Sequence, residues 1–291
     1  MELSRTTPTP HSEPESLSIR GVAVLGEHFF CAFRQSSKVK VYSANTLGYK
    51  TSWETEEITD LRDLTACSKH DCLYISNIRL TDNECEILKL SSQGKLITKW
   101  KTERNYFGRL SVTHDFNVLL AGHYVGRLVE YGPDGTRLKD IQLSNNSFRP
   151  IHALKDNSSY FVSHGFGADP VHGVSLVGAN GKVLKTFGKT RGSTVEQLHA
   201  PVHLAMNDGS ILVADSRNGR VIVLSPTLEY QATLLSNEED GLNHPLRICI
   251  DHDNRRLLLS DFQNQTHFLR AFNFIMNSHF CAKPRFRSKE H

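Results

Sequence analysis

The sequence predicts an all-β protein, a six-bladed β-propeller made of four-stranded antiparallel blades. A small residue ends an apolar segment six times in the chain of 291 residues, at intervals of 44, 45, 42, 51 and 46 residues, which is the spacing of propeller blades. A polar turn and a segment of alternating apolar and polar residues follow each time, and this period of two favours strands over helices. No run of about 18 apolar residues occurs, so no membrane span is expected. The six small residues are Ala32, Ser76, Ala121, Ser163, Ala214 and Ser260.

The clearest copy of the repeat covers residues 198–236. Its segments VHLAM, SILVAD, RVIVLS and YQATLL each predict a strand, and Asn207-Asp208-Gly209 is typical of a hairpin turn between the first two. A single four-stranded sheet cannot bury both faces, so each copy needs neighbours on both sides. A closed ring of blades meets this need.

The repeats place the propeller domain at residues 19–282, with blades at 19–57, 58–103, 104–145, 146–193, 194–241 and 242–282. Residues 1–18 are rich in Pro, Ser, Thr and Glu and are expected to form a disordered tail. Residues 283–291 are expected to form a basic tail, which carries the chain's formal net charge of +3 and leaves the folded part close to neutral. The fourth strand of blade six is either Ser278–Ala282 or an addition by Ser16–Ser18 across the closure, and we favour the first.

The cysteine pattern and the N-terminal composition indicate a reducing compartment. The chain has six cysteines and no CxxC pair, and its N-terminal segment has no apolar core typical of a secretory signal. We therefore expect free thiols and a cytoplasmic location.

Blades five and six resemble NHL repeats. The matching pieces are His199-Ala200-Pro201 with ILVAD and Asn218, and Asn243-His244-Pro245 with LLLSD. The resemblance implies a six-bladed propeller of the NHL/TolB-like type. Such propellers form the substrate-binding ends of tripartite-motif ubiquitin ligases, some bind RNA, and related propellers include metal-dependent lyases and hydrolases. This chain has no RING, B-box or coiled-coil pattern, so ligase activity of this chain alone is not expected.

One column of basic residues recurs at the start of each predicted first strand, where NHL repeats usually have Gly. First strands surround the central channel, so these residues predict an electropositive ring at one mouth, suited to carboxylate or phosphate. The alternative is that the basic groups fasten the blades internally, for example through pairs of His203 with Asp215 and of Arg247 with Asp261. The column contains Arg20, Arg62, Arg109, His152, His203 and Arg247.

The loops after the second strands lie at the same face and add basic and aromatic residues. Such residues serve protein interfaces, where Arg and Tyr are common hot spots, and also single-stranded nucleic acid. A protein partner is favoured because nucleic-acid modules show a stronger basic excess than this chain. The candidate binding residues here are His123, Tyr124, His164, Phe166 and Arg217.

The function predicted from these patterns is a non-catalytic recognition scaffold. It would bind a protein partner, or an acidic or phosphorylated segment, at the propeller face, and the NHL resemblance implies a role as the substrate-binding part of a ubiquitin-ligase system. We expect no cofactor and no metal, because no HExxH, P-loop or GxSxG motif occurs and the arginines would repel a cation. The alternatives are an RNA-binding propeller and a metal-dependent lyase or hydrolase. No membrane partner is expected.

Overall fold

A computed structural model describes residues 2–4, 11–12, 18–34, 36–79, 84–103, 108–123, 125–144 and 149–275. These residues form six antiparallel sheets arranged as a six-bladed propeller, which confirms the predicted fold class. The first strand of each blade packs against the first strands of both neighbouring blades, so these six strands surround the channel. No helix in the described part of the chain is long and apolar enough to cross a membrane.

The strands of each blade lie inside the segment expected for that blade, and only short N-terminal strands lie outside these segments. The strands are β1 (Glu2–Ser4), β2 (His11–Ser12), β3 (Ile19–Leu25), β4 (His28–Phe33), β5 (Lys38–Ser43), β6 (Tyr49–Glu54), β7 (Leu61–Cys67), β8 (Cys72–Arg79), β9 (Glu84–Ser91), β10 (Leu96–Lys101), β11 (Arg109–Val112), β12 (Val118–Gly122), β13 (Arg127–Tyr131), β14 (Arg137–Gln142), β15 (Pro150–Asp156), β16 (Ser159–His164), β17 (Gly173–Val177), β18 (Val183–Phe187), β19 (Pro201–Asn207), β20 (Ser210–Asp215), β21 (Arg220–Leu224), β22 (Tyr230–Leu235), β23 (Pro245–Asp251), β24 (Arg256–Gln263) and β25 (Thr266–Ile275). A 3-10 turn at Ser216–Asn218 and a short helix α1 (Asn237–Asp240) lie in connections of blades five and six.

The core lies between adjacent blades. Each blade presents apolar residues on both faces, because its inner strands are buried on both sides. Leu119 of blade three packs with Tyr160 of blade four in one such cluster. Phe29 of blade one packs with Leu258 of blade six in another, which joins the first blade to the last. Burial of apolar area between blades is therefore the force that closes the ring.

Blade six is completed by the N-terminal segment. Strand β25 pairs with β1 at Leu3↔Phe274 and with β2 at His11↔Leu269, so both short strands occupy the outer position of this blade. This differs from the two closures expected from the sequence. Ser278–Ala282 lies outside the described residues, as do Ser16 and Leu17. Two pieces of the segment that we expected to be a disordered tail thus pair with a strand more than 250 residues away in the chain.

We expect deletion of residues 1–12 to lower the melting temperature and to promote self-association. The deletion exposes the edge of β25, whose backbone groups can then pair with another chain. Differential scanning fluorimetry and light scattering after gel filtration measure the two effects. Deletion of residues 283–291, the predicted basic tail, is the control and should change neither quantity. An unchanged melting temperature for the first deletion would contradict closure by the N-terminal strands.

Candidate functional site

The mouth of the channel is organised by polar residues at the ends of the second strands, which fix the loops that enter the first strands. Asp215 accepts a hydrogen bond from the backbone N–H of His199 at 2.7 Å, and Asp261 accepts one from His244 at 2.7 Å. These loops therefore deliver the first strands of their blades to the channel in a fixed position.

The two blade-fastening pairs considered in the sequence analysis do not form. Asp215 instead pairs with Arg220 at 2.8 Å, and Asp261 pairs with Arg270 at 3.1 Å. Both arginines lie on third strands. The carboxylates thus point outward along the blade, which leaves His203 and Arg247 to face the channel.

The basic column predicted from the sequence is two adjacent columns in the structure. In blade five, His203 pairs with the small residue Ala214 of the second strand. The register shifts by one residue just before this pair, so Val202 has no partner on the second strand and is called skipped. In blade one, Gly21 occupies the position opposite the small residue, and Arg20 is the skipped residue. The column opposite the small residues, here called the inner column, contains Gly21, Asp63, Arg109, His152, His203 and Arg247. The preceding positions, here called the mouth column, contain Arg20, Arg62, Gly108, Ile151, Val202 and Leu246.

Asp63 is a fully buried carboxylate between two guanidinium groups of the inner column. Its Oδ1 lies 4.0 Å from Nη1 of Arg109 and 3.7 Å from Nε of Arg247, and its Oδ2 accepts from the backbone N–H of Leu110 at 2.9 Å. Burial raises the pKa of Asp63, and the two guanidinium groups counter that rise. The three side chains come from blades two, three and six, so they join distant parts of the ring.

Both arginines of this cluster also donate to carbonyl groups of the mouth column. Arg109 Nη1 donates to the carbonyl oxygens of Arg62 at 2.7 Å and of Arg20 at 3.0 Å. Arg247 donates from Nε to the carbonyl of Arg20, and from Nη1 to that of Leu246 at 2.6 Å. Burial and repulsion from neighbouring arginines lower the pKa of both guanidinium groups, and the carboxylate of Asp63 counters this lowering. Their donors therefore hold the ring together at this level of the channel.

His152 and His203 fill the opposite side of the inner column as neutral imidazoles. His152 Nδ1 accepts from the backbone N–H of Leu204 at 3.3 Å, so its Nε2 carries the proton and donates to the carbonyl of Leu110 at 3.3 Å. His203 Nδ1 accepts from Ile248 at 3.5 Å, and the two rings stack with centroids 4.0 Å apart. Burial and the nearby arginines lower the pKa of His152 to about 3, and burial lowers that of His203 well below its usual value.

A cavity of about 510 Å³ lies above the inner column at this mouth. All six residues of the mouth column line it, together with two arginines of the inner column and residues of the surrounding loops. The full lining consists of Ser18, Ile19, Arg20, Arg62, Gly108, Arg109, His123, Ile151, Phe166, Val202, Leu246 and Arg247. Its volume lies within the range of about 300–1,000 Å³ that is usual for ligand sites.

Arg20 differs from the other arginines that line this cavity. Arg62 pairs with Asp60 at 2.5 Å, whereas Arg20 forms no ion pair with any residue in the described ranges, and its Nε is buried without a hydrogen-bond partner there. Burial and the neighbouring Arg109, Arg34 and Arg62 lower the pKa of Arg20 to about 10, and the nearby carboxylate of Asp60, which pairs with Arg62, counters part of this lowering. The guanidinium group of Arg20 therefore lies among more positive than negative charge and is available to an anion.

Six of the eleven residues predicted as binding residues line the cavity: Arg20, Arg62, Arg109, Arg247, His123 and Phe166. His152 and His203 lie in the inner column but are not among the lining residues. His164 is buried inside blade four, where its Nε2 contacts Ser175 Oγ at 2.9 Å and burial lowers its pKa to about 4. Arg217 is exposed and lies away from the cavity lining. Tyr124 lies outside the described residues.

Sequence reasoning missed Asp63 and the aliphatic residues of the mouth column. Counting back from the small residue did not separate the columns, because the distance to the inner column varies from 11 residues (Ala32 to Gly21) to 13 residues (Ser76 to Asp63). A register shift skips the residue before the inner column in five blades, and the sequence analysis aligned the skipped Arg20 and Arg62 with inner-column residues of the other blades. No group of three or more His, Cys, Asp or Glu within the described ranges is arranged to hold a metal ion.

Comparison with solved structures finds other propellers of low sequence identity. A catalytically inactive variant of virginiamycin B lyase from Staphylococcus aureus with quinupristin superposes with a TM-score of 0.60 at 9% identity, over 92% of this chain and 99% of that one. A streptogramin B lyase gives 0.59 at 9% identity, over 91% and 97%. A protein of unknown function from Bacteroides caccae gives 0.56 at 12% identity, over 77% and 84%. These similarities show a shared fold.

No protein-family model and no curated protein sequence matches the chain. The propeller architecture is thus established by the structure, and the NHL resemblance stays a prediction.

We expect Asp63→Asn to lower the free energy of unfolding by about 3 kcal/mol or more, because removal of one partner leaves two buried cations without their carboxylate. Urea denaturation measures the change. Asp115→Asn is the matched control, since Asp115 is 62% exposed in its pair with Lys155 and its removal should change the free energy of unfolding far less than Asp63→Asn does. Equal effects of the two substitutions would contradict the structural role of Asp63.

We expect His152 to make the protein less stable as the pH falls below about 6.5. The pKa of His152 is about 3 in the folded protein, so between these values the unfolded chain binds a proton that the folded chain does not. Stability therefore decreases with falling pH by about 1.4 kcal/mol per unit for this group.

The test compares wild type with His152→Asn, which removes the titrating ring, in urea denaturation at pH 7, 6 and 5. The variant is expected to be less stable at pH 7 and to show a shallower loss toward pH 5. His114→Asn is the control, because His114 is 96% exposed. A variant with the same pH slope as wild type would show that His152 titrates normally.

Proposed function

We propose that the chain is a recognition module that binds an acidic segment of a protein partner in the cavity at the channel mouth. The observation that carries the proposal is Arg20, a half-buried cation in the wall of this cavity with no ion pair to the described residues. A guanidinium group in this setting gains most from a carboxylate or phosphate that arrives with a ligand, since charge-assisted hydrogen bonds are the strong ones.

The charge balance around the cavity supports an anionic ligand. Four arginines line the wall, whereas the carboxylates next to them are Asp60 and Asp63, which already pair with Arg62, Arg109 and Arg247. The folded part of the chain is close to neutral, so this excess of positive charge is local. A local charge of this kind steers an acidic segment to one place on the surface.

The groups below the cavity support binding rather than catalysis. The imidazoles of His152 and His203 are tied to backbone groups of neighbouring blades, and Asp63 lies between two guanidinium groups. These groups would have to break their structural hydrogen bonds or ion pairs in order to transfer a proton.

Two finer roles remain proposals. The NHL resemblance suggests that this face captures substrates for a ubiquitin-ligase system, and RNA is the alternative ligand of the same face. Among proteins with this fold, some are lyases by name, such as the streptogramin B lyase, and at 9% identity that similarity supports the fold alone.

The test measures fluorescence anisotropy with labelled glutamate-rich octapeptides that carry a free C-terminal carboxylate. We expect binding, and we expect Arg20→Glu to weaken it at least about tenfold, because the substitution replaces attraction by repulsion. Arg217→Glu is the matched control, since this exposed arginine lies at the same face but away from the cavity lining, and it should change the affinity by less than about twofold.

A labelled single-stranded oligoribonucleotide is measured in parallel. RNA binding that is stronger than peptide binding, falls steeply with salt and does not depend on Arg20 would overturn the proposal in favour of the RNA alternative. Equal effects of the two charge reversals on peptide binding would also overturn it.

A further inference from the structure

The cavity at the channel mouth has two unlike walls. Its mouth column presents Arg20 and Arg62 from blades one and two, Gly108 from blade three, and the aliphatic residues Ile151, Val202 and Leu246 from blades four to six. Within the mouth column, charged and aliphatic side chains are therefore separated around the ring, whereas Arg109 and Arg247 of the inner column line the cavity from below.

The order of blades in the ring sets these walls opposite each other. In a closed ring of six blades, blade one faces blade four and blade two faces blade five. Arg20 thus lies across the cavity from Ile151, and Arg62 lies across it from Val202. A ligand that spans the cavity meets a guanidinium group at one end and an aliphatic surface at the other.

The apolar wall is extended by an aromatic side chain that is held in place at the rim. Phe166 lines the cavity, and 54% of this residue is exposed. Its loop is fixed by Asp169, whose carboxylate accepts from the backbone N–H of Phe166 at 3.0 Å. A large exposed aromatic group on a fixed loop is typical of a contact surface.

The floor of the cavity is blocked. Arg109 reaches from blade three to carbonyl groups of blades one and two, Arg247 reaches from blade six to blade one, and His152 stacks on His203. These side chains cross the channel directly below the mouth column. A polypeptide cannot thread through the ring at this level, so it can enter the cavity only with an end or a side chain.

We propose that the cavity binds the C-terminal residue of a polypeptide, with its terminal carboxylate at Arg20 and an apolar side chain against Ile151, Val202 and Phe166. The C-terminal residue carries a carboxylate and a side chain on the same Cα, so one residue serves both walls. An internal Asp or Glu lacks an apolar group of its own for the second wall. This inference rests on the proposed function and specifies the acidic group of the partner.

The same chemistry, a monocarboxylate joined to an apolar group, also occurs in small molecules such as a medium-chain fatty acid. A blocked floor and a cavity of about 510 Å³ admit either source. We commit to the chain end because Phe166 lines the cavity and is also 54% exposed, so it extends apolar surface to the rim, where the preceding residues of a peptide would pass.

The experiment uses the full chain and four pools of labelled octapeptides that are randomised except at the last residue. The pools end in Leu with a free carboxylate, in Leu amide, in Gly with a free carboxylate, and in Asp amide. We expect the first pool to bind at least about tenfold more tightly than the second, because the amide cannot form the charge-assisted pair with Arg20. We expect the third pool to bind more weakly than the first, since Gly leaves the apolar wall uncovered.

Three variants locate the contacts. Arg20→Gln should remove the difference between the acid and amide pools, and it should not lower stability, because it relieves repulsion among arginines. Phe166→Ala should weaken the Leu acid pool more than the Gly acid pool, because the Gly pool loses only the contacts of its preceding residues. Arg217→Gln is the matched control and should change neither pool. Octanoate is added as a competitor to represent the small-molecule source.

The outcomes separate this inference from the proposed function. If Leu acid and Leu amide bind equally, the chain-end assignment is overturned, whereas glutamate-rich peptides that depend on Arg20 would still support the proposed function. If octanoate binds in an Arg20-dependent way and no peptide pool binds at about 1 mM, the ligand is a small carboxylate and the chain-end assignment is again overturned. If no probe binds, both proposals are overturned.

Discussion

The contact of one buried carboxylate with two buried guanidinium groups determines the chemistry of the channel mouth. Asp63 is fully buried, and its Oδ1 lies within 4.0 Å of both Arg109 and Arg247. Without this carboxylate the two cations could not remain in the channel, because each would lose hydration without compensation. With it, their remaining donors bind carbonyl groups of Arg20, Arg62 and Leu246 and tie blades one, two, three and six together.

This arrangement also explains the states of the other inner-column residues. In three places, an inner-column side chain accepts a hydrogen bond from a backbone N–H of the next blade. The donor is the residue that directly follows the inner-column residue of that next blade. Asp63 accepts such a bond from Leu110, His152 accepts one from Leu204, and His203 accepts one from Ile248. Only a side chain with an acceptor atom can do this, so the imidazoles stay neutral beside two arginines.

Blade one shows the same constraint in another form. The inner-column residue there is Gly21, and a Cβ at this position would lie 2.4 Å from the backbone nitrogen of Leu64 in blade two. No side chain fits between these blades. Arg20, the residue before it, occupies the mouth column, as the equivalent residue does in every blade, and its guanidinium group lines the cavity and has no ion pair with the described residues. Close packing of blades one and two thus leaves blade one without a side chain in the inner column, and Arg20 is its charged side chain in the cavity wall.

The sequence by itself determined the number of blades and the strand order within each, because a blade is a local unit whose apolar pattern and turns recur at a nearly constant interval. It also identified the basic residues near one mouth, including Arg20, Arg62, Arg109 and Arg247. It predicted a charged ring, whereas the structure shows a cavity with a basic wall and an aliphatic wall.

Only the tertiary structure decided which of these groups are neutralised and which are available. A register shift of one residue separates Arg20 and Arg62 from the inner column, and such a shift leaves no mark in the alternation of the strand. The partners of Arg247 lie 227 residues away at Arg20 and in blade two at Asp63, and the outer strands of blade six come from Glu2–Ser4 and His11–Ser12. These contacts exist only after the ring has closed, because each joins segments that are distant in the chain.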